Sequence, residues 1–293
     1  MHDAAYYIDL LLSGVTVGSL YALIAIGYTM VYGILRLINF AHGDIFMMAG
    51  FFMVYAATWM PMAVCIPLVL IATVALGVLI EKAAYSPLRT APRMSVMISA
   101  IGVSYLLQNA ALLLFGSQQM AYPTLVKLGS FSVGGVQVDG ITVLTLAVTA
   151  VLMAALTLFI DKTKLGKAMR AVSEDKDAAT LMGISVDRTI TLTFAIGSAL
   201  AAIAGVLLCS FNTSLMPTTG SMPGIKAFTA AVFGGIGSIP GAFLGGLLLG
   251  IIEAMAKAYI STNLANSIVF AVLIVVLLVK PAGLLGKYVP EKV

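Results

Sequence analysis

The run Asn39-Phe-Ala-His-Gly-Asp44 places an amide, an imidazole and a carboxylate at the edge of an apolar segment. Ionisable groups in such a place are costly unless they serve a purpose. His42 beside Asp44 is an arrangement suited to a proton relay. The same residues also suit helix capping, Asp44 for a helix beginning at Ile45 and Asn39 for a turn before Gly43. Capping is the favoured reading and the relay the sharper one. No cysteine or third ligand stands nearby at a metal spacing, so a zinc site is set aside.

A second candidate lies in Ala231–Gly250, "AVFGGIGSIPGAFLGGLLLG". Gly234, Gly235, Gly237 and Ser238 precede Pro240 and lack helix formers, so they read as a helix break. Its amides and carbonyls would face a solute path, or the glycines serve close packing alone. Gly241 and Gly245 are four apart, as are Gly246 and Gly250, a spacing that lets another helix approach closely. Gly14, Gly18 and Ala22 form a similar stripe in the first apolar run. Glu81 beside Lys82 suggests interfacial pairing, and Glu253 with Lys257 an i,i+4 pair.

The third candidate is Asp161–Arg188, which carries eleven of the chain's 28 charged residues. Ser173 reads as the N-cap of a short helix over Glu174–Met182, with Glu174 and Asp175 suiting the helix dipole and Gly183 as the closing residue. The helix offers Ala178, Ala179, Leu181 and Met182 as an apolar face. A second amphipathic piece, Leu165–Val172, precedes it. Five acids among six bases make anionic lipid a poor target for this interval, so a protein partner fits better than a headgroup layer.

These residues assemble no catalytic set. G-x-x-x-x-G-K-[ST], H-E-x-x-H and a Ser/His/Asp arrangement are all missing, so an enzyme reading is disfavoured and any fuel must come from another subunit. The elements that hold the candidates are membrane helices. The chain is 61% hydrophobic and 10% charged with a mean hydropathy of +1.08, too little charge to cover a soluble surface. A formal charge of +4 reports loop sidedness rather than nucleic acid, and none is expected as a partner. Cys65 and Cys209 sit in apolar runs and suggest no disulfide. The first apolar run reads as a retained helix rather than a signal peptide.

The expected fold is an all-α polytopic membrane protein with about eight hydrophobic segments. Spans are expected at Ile8–Tyr32, Phe40–Trp59, Met62–Tyr85, Ser95–Phe115, Ile141–Ile160, Thr189–Phe211 and Leu264–Val279, with a broken region at Ile225–Lys257. Residues 116–140 read as an outer loop containing a small hairpin at "SFSVGGVQV", and Pro217–Pro223 as a further loop. With the N-terminus outside and the C-terminus inside, thirteen basic residues fall inside and only Lys127, Lys226 and Lys257 outside. That parity requires the broken region to dip in and return near Gly234–Pro240. Polar, glycine-containing breaks ahead of apolar helices in both halves hint at an inverted repeat.

The chain resembles the LivH-type permease subunits of bacterial branched-chain amino-acid ABC importers. The likeness rests on "NFAHGD" at 39–44, "SPLR" at 86–89, "ISAIGVSYLLQN" at 98–109, "RAVSEDKDAATLMGI" at 170–184, "GGIGSIPGAFLGG" at 234–246 and "KPAGLLGK" at 280–287. It implies a single transmembrane permease domain over 1–293 in the inner membrane. It also implies a second, related permease subunit, two cytoplasmic ATP-binding subunits carrying ATP and Mg, and a periplasmic amino-acid-binding protein. No cofactor is expected on this chain. By position, residues 161–188 become the cytoplasmic coupling loop, with Arg170, Glu174, Asp175, Ala178, Ala179, Leu181, Met182, Gly183 and Ile184 as candidate coupling residues. Asn39, His42, Asp44 and the Gly234–Ser238 break are candidates for the translocation path. Permeases for urea or other amino acids share the pattern. A gradient-driven secondary transporter or channel is the alternative from a different class.

Overall fold

In a computed structural model, the described residues are 4–35, 39–121, 129–133, 136–211 and 214–286. Lys127 lies outside them, as do Arg36, Lys287 and Lys292, three of the thirteen basic residues expected inside, and the two residues at the expected hairpin turn. The described residues form α1 (Ala4–Leu35), α2 (His42–Trp59), α3 (Met62–Ile80), α4 (Arg93–Phe115), α5 (Gly140–Lys162), α6 (Lys164–Glu174), α7 (Lys176–Leu181), α8 (Val186–Phe211), α9 (Ser221–Gly234), α10 (Ile239–Tyr259) and α11 (Ala265–Val279). Helix α3 continues into a π-helical turn, Glu81–Tyr85, and a 3-10 turn, Ser86–Leu88. Strands β1 (Met120–Ala121) and β4 (Ser214–Leu215) pair, as do β2 (Ser130–Val133) and β3 (Val136–Asp139), both pairs antiparallel. The β2–β3 hairpin is the one expected from alternation. The β1–β4 pair is too short to leave a sequence pattern. Pro217–Pro223, expected as a loop, becomes helical from Ser221.

Among the described residues, six helices are long and apolar enough to cross a membrane: Tyr6–Leu35, Met62–Leu88, Met94–Phe115, Gly140–Lys162, Val186–Leu208 and Ile239–Tyr259. Helix α11 is apolar but shorter. Helix α2 is buried on every side along its first half, from His42 to Phe51. The chain is thus a polytopic all-α membrane protein. Contacts divide it into two compact units, one of residues 1–29, 128–154 and 226–293, the other of residues 30–127 and 155–225.

In the first unit, α1 and α10 run antiparallel with their backbones nearly touching. A Cβ at Gly14 would lie 2.8 Å from the Ile251 Cα, and one at Gly18 2.8 Å from the Leu247 Cα. From the other side, a Cβ at Gly246 would strike Ala22, and one at Gly250 would strike Gly18. Gly241 and Gly245 face α9 instead, against Gly234 and the Ala230 carbonyl. The two glycine pairs of α10 therefore serve different neighbours. Thr16 Oγ1 donates to Thr142 Oγ1 of α5 at 2.9 Å.

The chain breaks between α9 and α10 where expected. Gly235 and Gly237 have φ of +109° and +92°, conformations that a side chain would strain. Ser238 is an N-cap, accepting from Gly241 N at 3.1 Å. The amides of Leu284 and Leu285, beyond α11, donate to the carbonyls of Phe233 and Gly234. The break thus lies at the exit end of α11. Helices α9 and α10 run antiparallel, with Gly241 against Gly234 and Gly245 against the Ala230 carbonyl. Helix α10 is about 31 Å long, enough to span a hydrocarbon core, whereas α9 is only about 21 Å.

In the second unit, α2, α3 and α8 pack mutually and α4 lies on α2. A Cβ at Gly205 of α8 would lie 2.7 Å from the Phe46 carbonyl of α2. A Cβ at Gly43 would lie 2.6 Å from the Gly220 carbonyl. Phe51 stacks on Phe115 with centroids 4.6 Å apart.

Candidate functional site

The charged interval folds as two helices rather than one. Thr163 caps α6, its Oγ1 accepting from Gly166 N at 3.0 Å. Gly166 is needed because α6 doubles back onto the end of α5, where any Cβ would collide with the backbone of Phe159 and Ile160. Met169 and Val172 are buried, which anchors α6. Arg170 pairs with Asp161 at 2.5 Å.

The expected cap at Ser173 is corrected. Ser173 Oγ donates to the Arg170 carbonyl inside α6, and Glu174 ends that helix. Asp175 is the N-cap of α7, its Oδ1 accepting from the amides of Asp177 and Ala178 at 2.9 Å each. Both Ser and Asp are good caps, but the carboxylate can receive two amides at once. Gly183 closes the helix as expected, with φ of +81°, and Ile184 N reaches back to the Ala179 carbonyl.

The apolar face of α7 is also divided. Ala179 is buried, 3% exposed, so it holds α7 to the chain itself. Ala178 is exposed, and Leu181 and Met182 are 88% and 82% exposed. A leucine and a methionine side by side in this state present a small apolar knob ringed by charge.

At residues 39–44 the capping expectation holds for Asn39 and fails for Asp44. Asn39 Oδ1 accepts from Ala41 N at 3.1 Å and from the Tyr85 hydroxyl at 2.6 Å. Helix α2 begins at His42, so Asp44 sits inside its first turn. The Asp44 carboxylate turns to α4 and accepts from Ser104 Oγ at 2.5 Å and Gln108 Nε2 at 3.1 Å. Ser104 and Gln108 went unnoticed in the sequence. Their i,i+4 spacing in an apolar span was the available signal. His42, the first residue of α2, is buried.

Of the two expected pairs, Glu253–Lys257 forms, and both acids prove to be buried. Glu81 is fully buried and pairs with Arg89 rather than Lys82, and Arg89 also holds Asp187. Glu253 is 2% exposed and pairs with Lys226 at 2.8 Å as well as Lys257 at 2.6 Å. Tyr21 donates to the other Glu253 oxygen at 2.9 Å. Lys226 and Tyr21 are remote in sequence from Glu253, so no periodicity announces them. Among the described residues no group of His, Cys, Asp and Glu is arranged to hold a metal ion.

The family model "Branched-chain amino acid transport system / permease component" matches residues 10–278. The chain is 47% identical to the high-affinity branched-chain amino acid transport system permease protein LivH of Salmonella typhimurium, over 98% of each chain. It is 46% identical to the corresponding permease protein BraD of Pseudomonas aeruginosa, over 100% of each. Among solved structures it is similar to PsaBC from Streptococcus pneumoniae in complex with Fab, with a TM-score of 0.45 and 14% identity, covering 92% of this chain and 90% of that one. LivH and BraD are transport permeases, not enzymes, and the chain belongs to the branched-chain amino acid transport permease family.

Proposed function

We propose that this chain is the membrane-spanning subunit of an ATP-driven importer of branched-chain or related hydrophobic amino acids. It pairs with a second permease subunit and receives cargo from a periplasmic amino-acid-binding protein. Two cytoplasmic ATP-binding subunits, which hold ATP and Mg, drive it. The N-terminus is periplasmic and the C-terminus cytoplasmic in the inner membrane, as the distribution of Lys and Arg favours.

The observation that carries the reading is the form of α7. Its backbone is fixed at both ends, by the Asp175 cap and the Gly183 turn. Its Leu181 and Met182 remain exposed on that fixed frame. A knob held this rigidly is suited to a cleft on a partner, because little ordering entropy is lost on docking. Closure of ATPase subunits around ATP would move α7 and switch the permease between outward-facing and inward-facing arrangements. Asn39, His42, Asp44 and the Gly234–Ser238 break are assigned to the path or its gates, where irregular backbone and buried polar groups are tolerated.

The test is leucine uptake into proteoliposomes containing this chain, its partner permease and the ATPase subunits, with binding protein and leucine outside and ATP inside. Uptake requiring every component and ATP is expected. Uptake by this chain alone, driven by a gradient without ATP, would replace the reading with a secondary transporter.

A further inference from the structure

The sequence motifs at 39–44 and 86–89 meet in the second unit through one short segment. Arg89, at the end of the 3-10 turn, holds two carboxylates from different elements. Glu81 lies in the π turn and is fully buried, and Asp187 lies in the first turn of α8 and is exposed. Thr191 Oγ1, one turn further along α8, donates to the second Glu81 oxygen at 2.9 Å. Asp187 follows α7 after only a short turn through Gly183. Any displacement of α7 therefore acts on the first turn of α8.

The π turn also carries Tyr85. Its ring lies against Phe194 of α8, with centroids 5.2 Å apart, and its hydroxyl reaches Asn39 at 2.6 Å. Asn39 in turn receives the amide of Ala41, which immediately precedes α2. The polar contacts thus form one line: Asp187, Arg89, Glu81, then Tyr85, Asn39 and the start of α2. The covalent link in the middle is the π turn.

Two features mark this line as more than a pin. First, π turns are rare, occur as single turns within α-helices, and are frequent at functional sites. A change from i→i+5 to i→i+4 pairing rotates Glu81 relative to Tyr85, so both contacts cannot be kept through it. Secondly, each end of the line holds a buried donor without a hydrogen-bond partner, Arg89 Nε and Asn39 Nδ2. Buried orphan donors are uncommon in a settled network and call for an explanation. A second arrangement that satisfies them supplies one.

We propose that Arg89 and Tyr85 are positioning residues for energy coupling: the Glu81–Tyr85 π turn relays displacement of the α7–α8 segment to the Asn39 turn that sets α2. This rests on the importer reading and names the route by which that site acts. The physical warrant is a packed π turn whose alternative register is the ordinary α one, with contacts at each end that bias the choice.

The test uses the complete importer in proteoliposomes, with ATP hydrolysis and leucine uptake measured on the same preparation. Tyr85→Phe removes only the hydroxyl that reaches Asn39. Arg89→Met removes both ion pairs, and Arg89→Lys keeps a charge. The expected result is at least a tenfold fall in leucine transported per ATP hydrolysed for Tyr85→Phe and Arg89→Met, with ATPase subunits still bound, and partial recovery for Arg89→Lys. A purely structural role lowers complex yield, hydrolysis and uptake together. An unchanged ratio of uptake to hydrolysis in Tyr85→Phe, or in an Arg89→Met complex that assembles, overturns the relay. Absence of ATPase subunits from the unsubstituted complex overturns the importer reading and the relay with it.

Discussion

Gly18→Ala adds one methyl group to the closest approach of α1 and α10. The new Cβ would lie 2.8 Å from the Leu247 Cα, 2.8 Å from the Leu247 carbonyl oxygen and 2.9 Å from the Gly246 carbonyl oxygen. All three atoms are backbone and cannot rotate away. Ordinary carbon contacts lie near 3.5–4.0 Å, so the helices must part by roughly 1 Å. That opening also loosens Gly14 from Ile251 and Ala22 from Gly246. Overpacking of this kind costs about 1–3 kcal/mol. Gly33→Ala is the control on the same helix, since a Cβ at Gly33 meets nothing within 4 Å. There the substitution should be neutral or stabilise by up to about 1 kcal/mol, through helix propensity alone. Thermal unfolding of the purified chain in detergent, followed by tryptophan-independent reporters such as cysteine accessibility at Cys65, reads both. Gly18→Ala melting at or above the unsubstituted chain would refute the claim that this glycine stripe sets the helix approach.

Five further substitutions separate neighbouring roles. Ala179→Glu should reduce the amount of folded chain in the membrane, by at least about 1–3 kcal/mol of overpacking, whereas exposed Ala178→Glu should leave it unchanged; immunoblots of membrane fractions decide. Gly183→Val should lower uptake while the chain stays in the membrane. A Cβ there meets no neighbour, so the cost is the left-handed backbone alone, roughly 1–2 kcal/mol. Glu253→Gln leaves Lys226 and Lys257 facing each other without their shared anion and should cost about 3–5 kcal/mol in thermal unfolding; Lys257→Gln, which spares the buried Lys226–Glu253 pair, should cost clearly less.

Features governed by local rules were legible in the sequence. The glycine spacing announced close helix packing, although not that alternate pairs on α10 serve α1 and α9. Gly183 was legible because few residues other than glycine close a helix with positive φ. The helix break was legible too, because Gly234–Pro240 lacks helix formers, and Gly235 and Gly237 take positive φ there. The cap of α7 was misplaced because Ser173-Glu-Asp175 offers two good capping residues two positions apart, and the end of α6 decides between them. Asp44 was misread for a different reason. Its partners Ser104 and Gln108 belong to α4, and only packing of α4 on α2 turns a capping residue into an interhelical acceptor. Glu81 takes Arg89 rather than the adjacent Lys82, whereas Glu253 keeps the expected Lys257 and gains Lys226 from elsewhere in the fold.

The central claim is that α7 is the docking knob for an ATPase. The most direct measurement is gentle purification of the tagged chain from bacterial membranes, with identification of every protein that accompanies it. The account predicts Walker-motif ATPases with the unsubstituted chain, and their loss when Leu181→Lys and Met182→Lys are combined, at unchanged membrane abundance. A chain that purifies alone and moves leucine in ATP-free liposomes would contradict it.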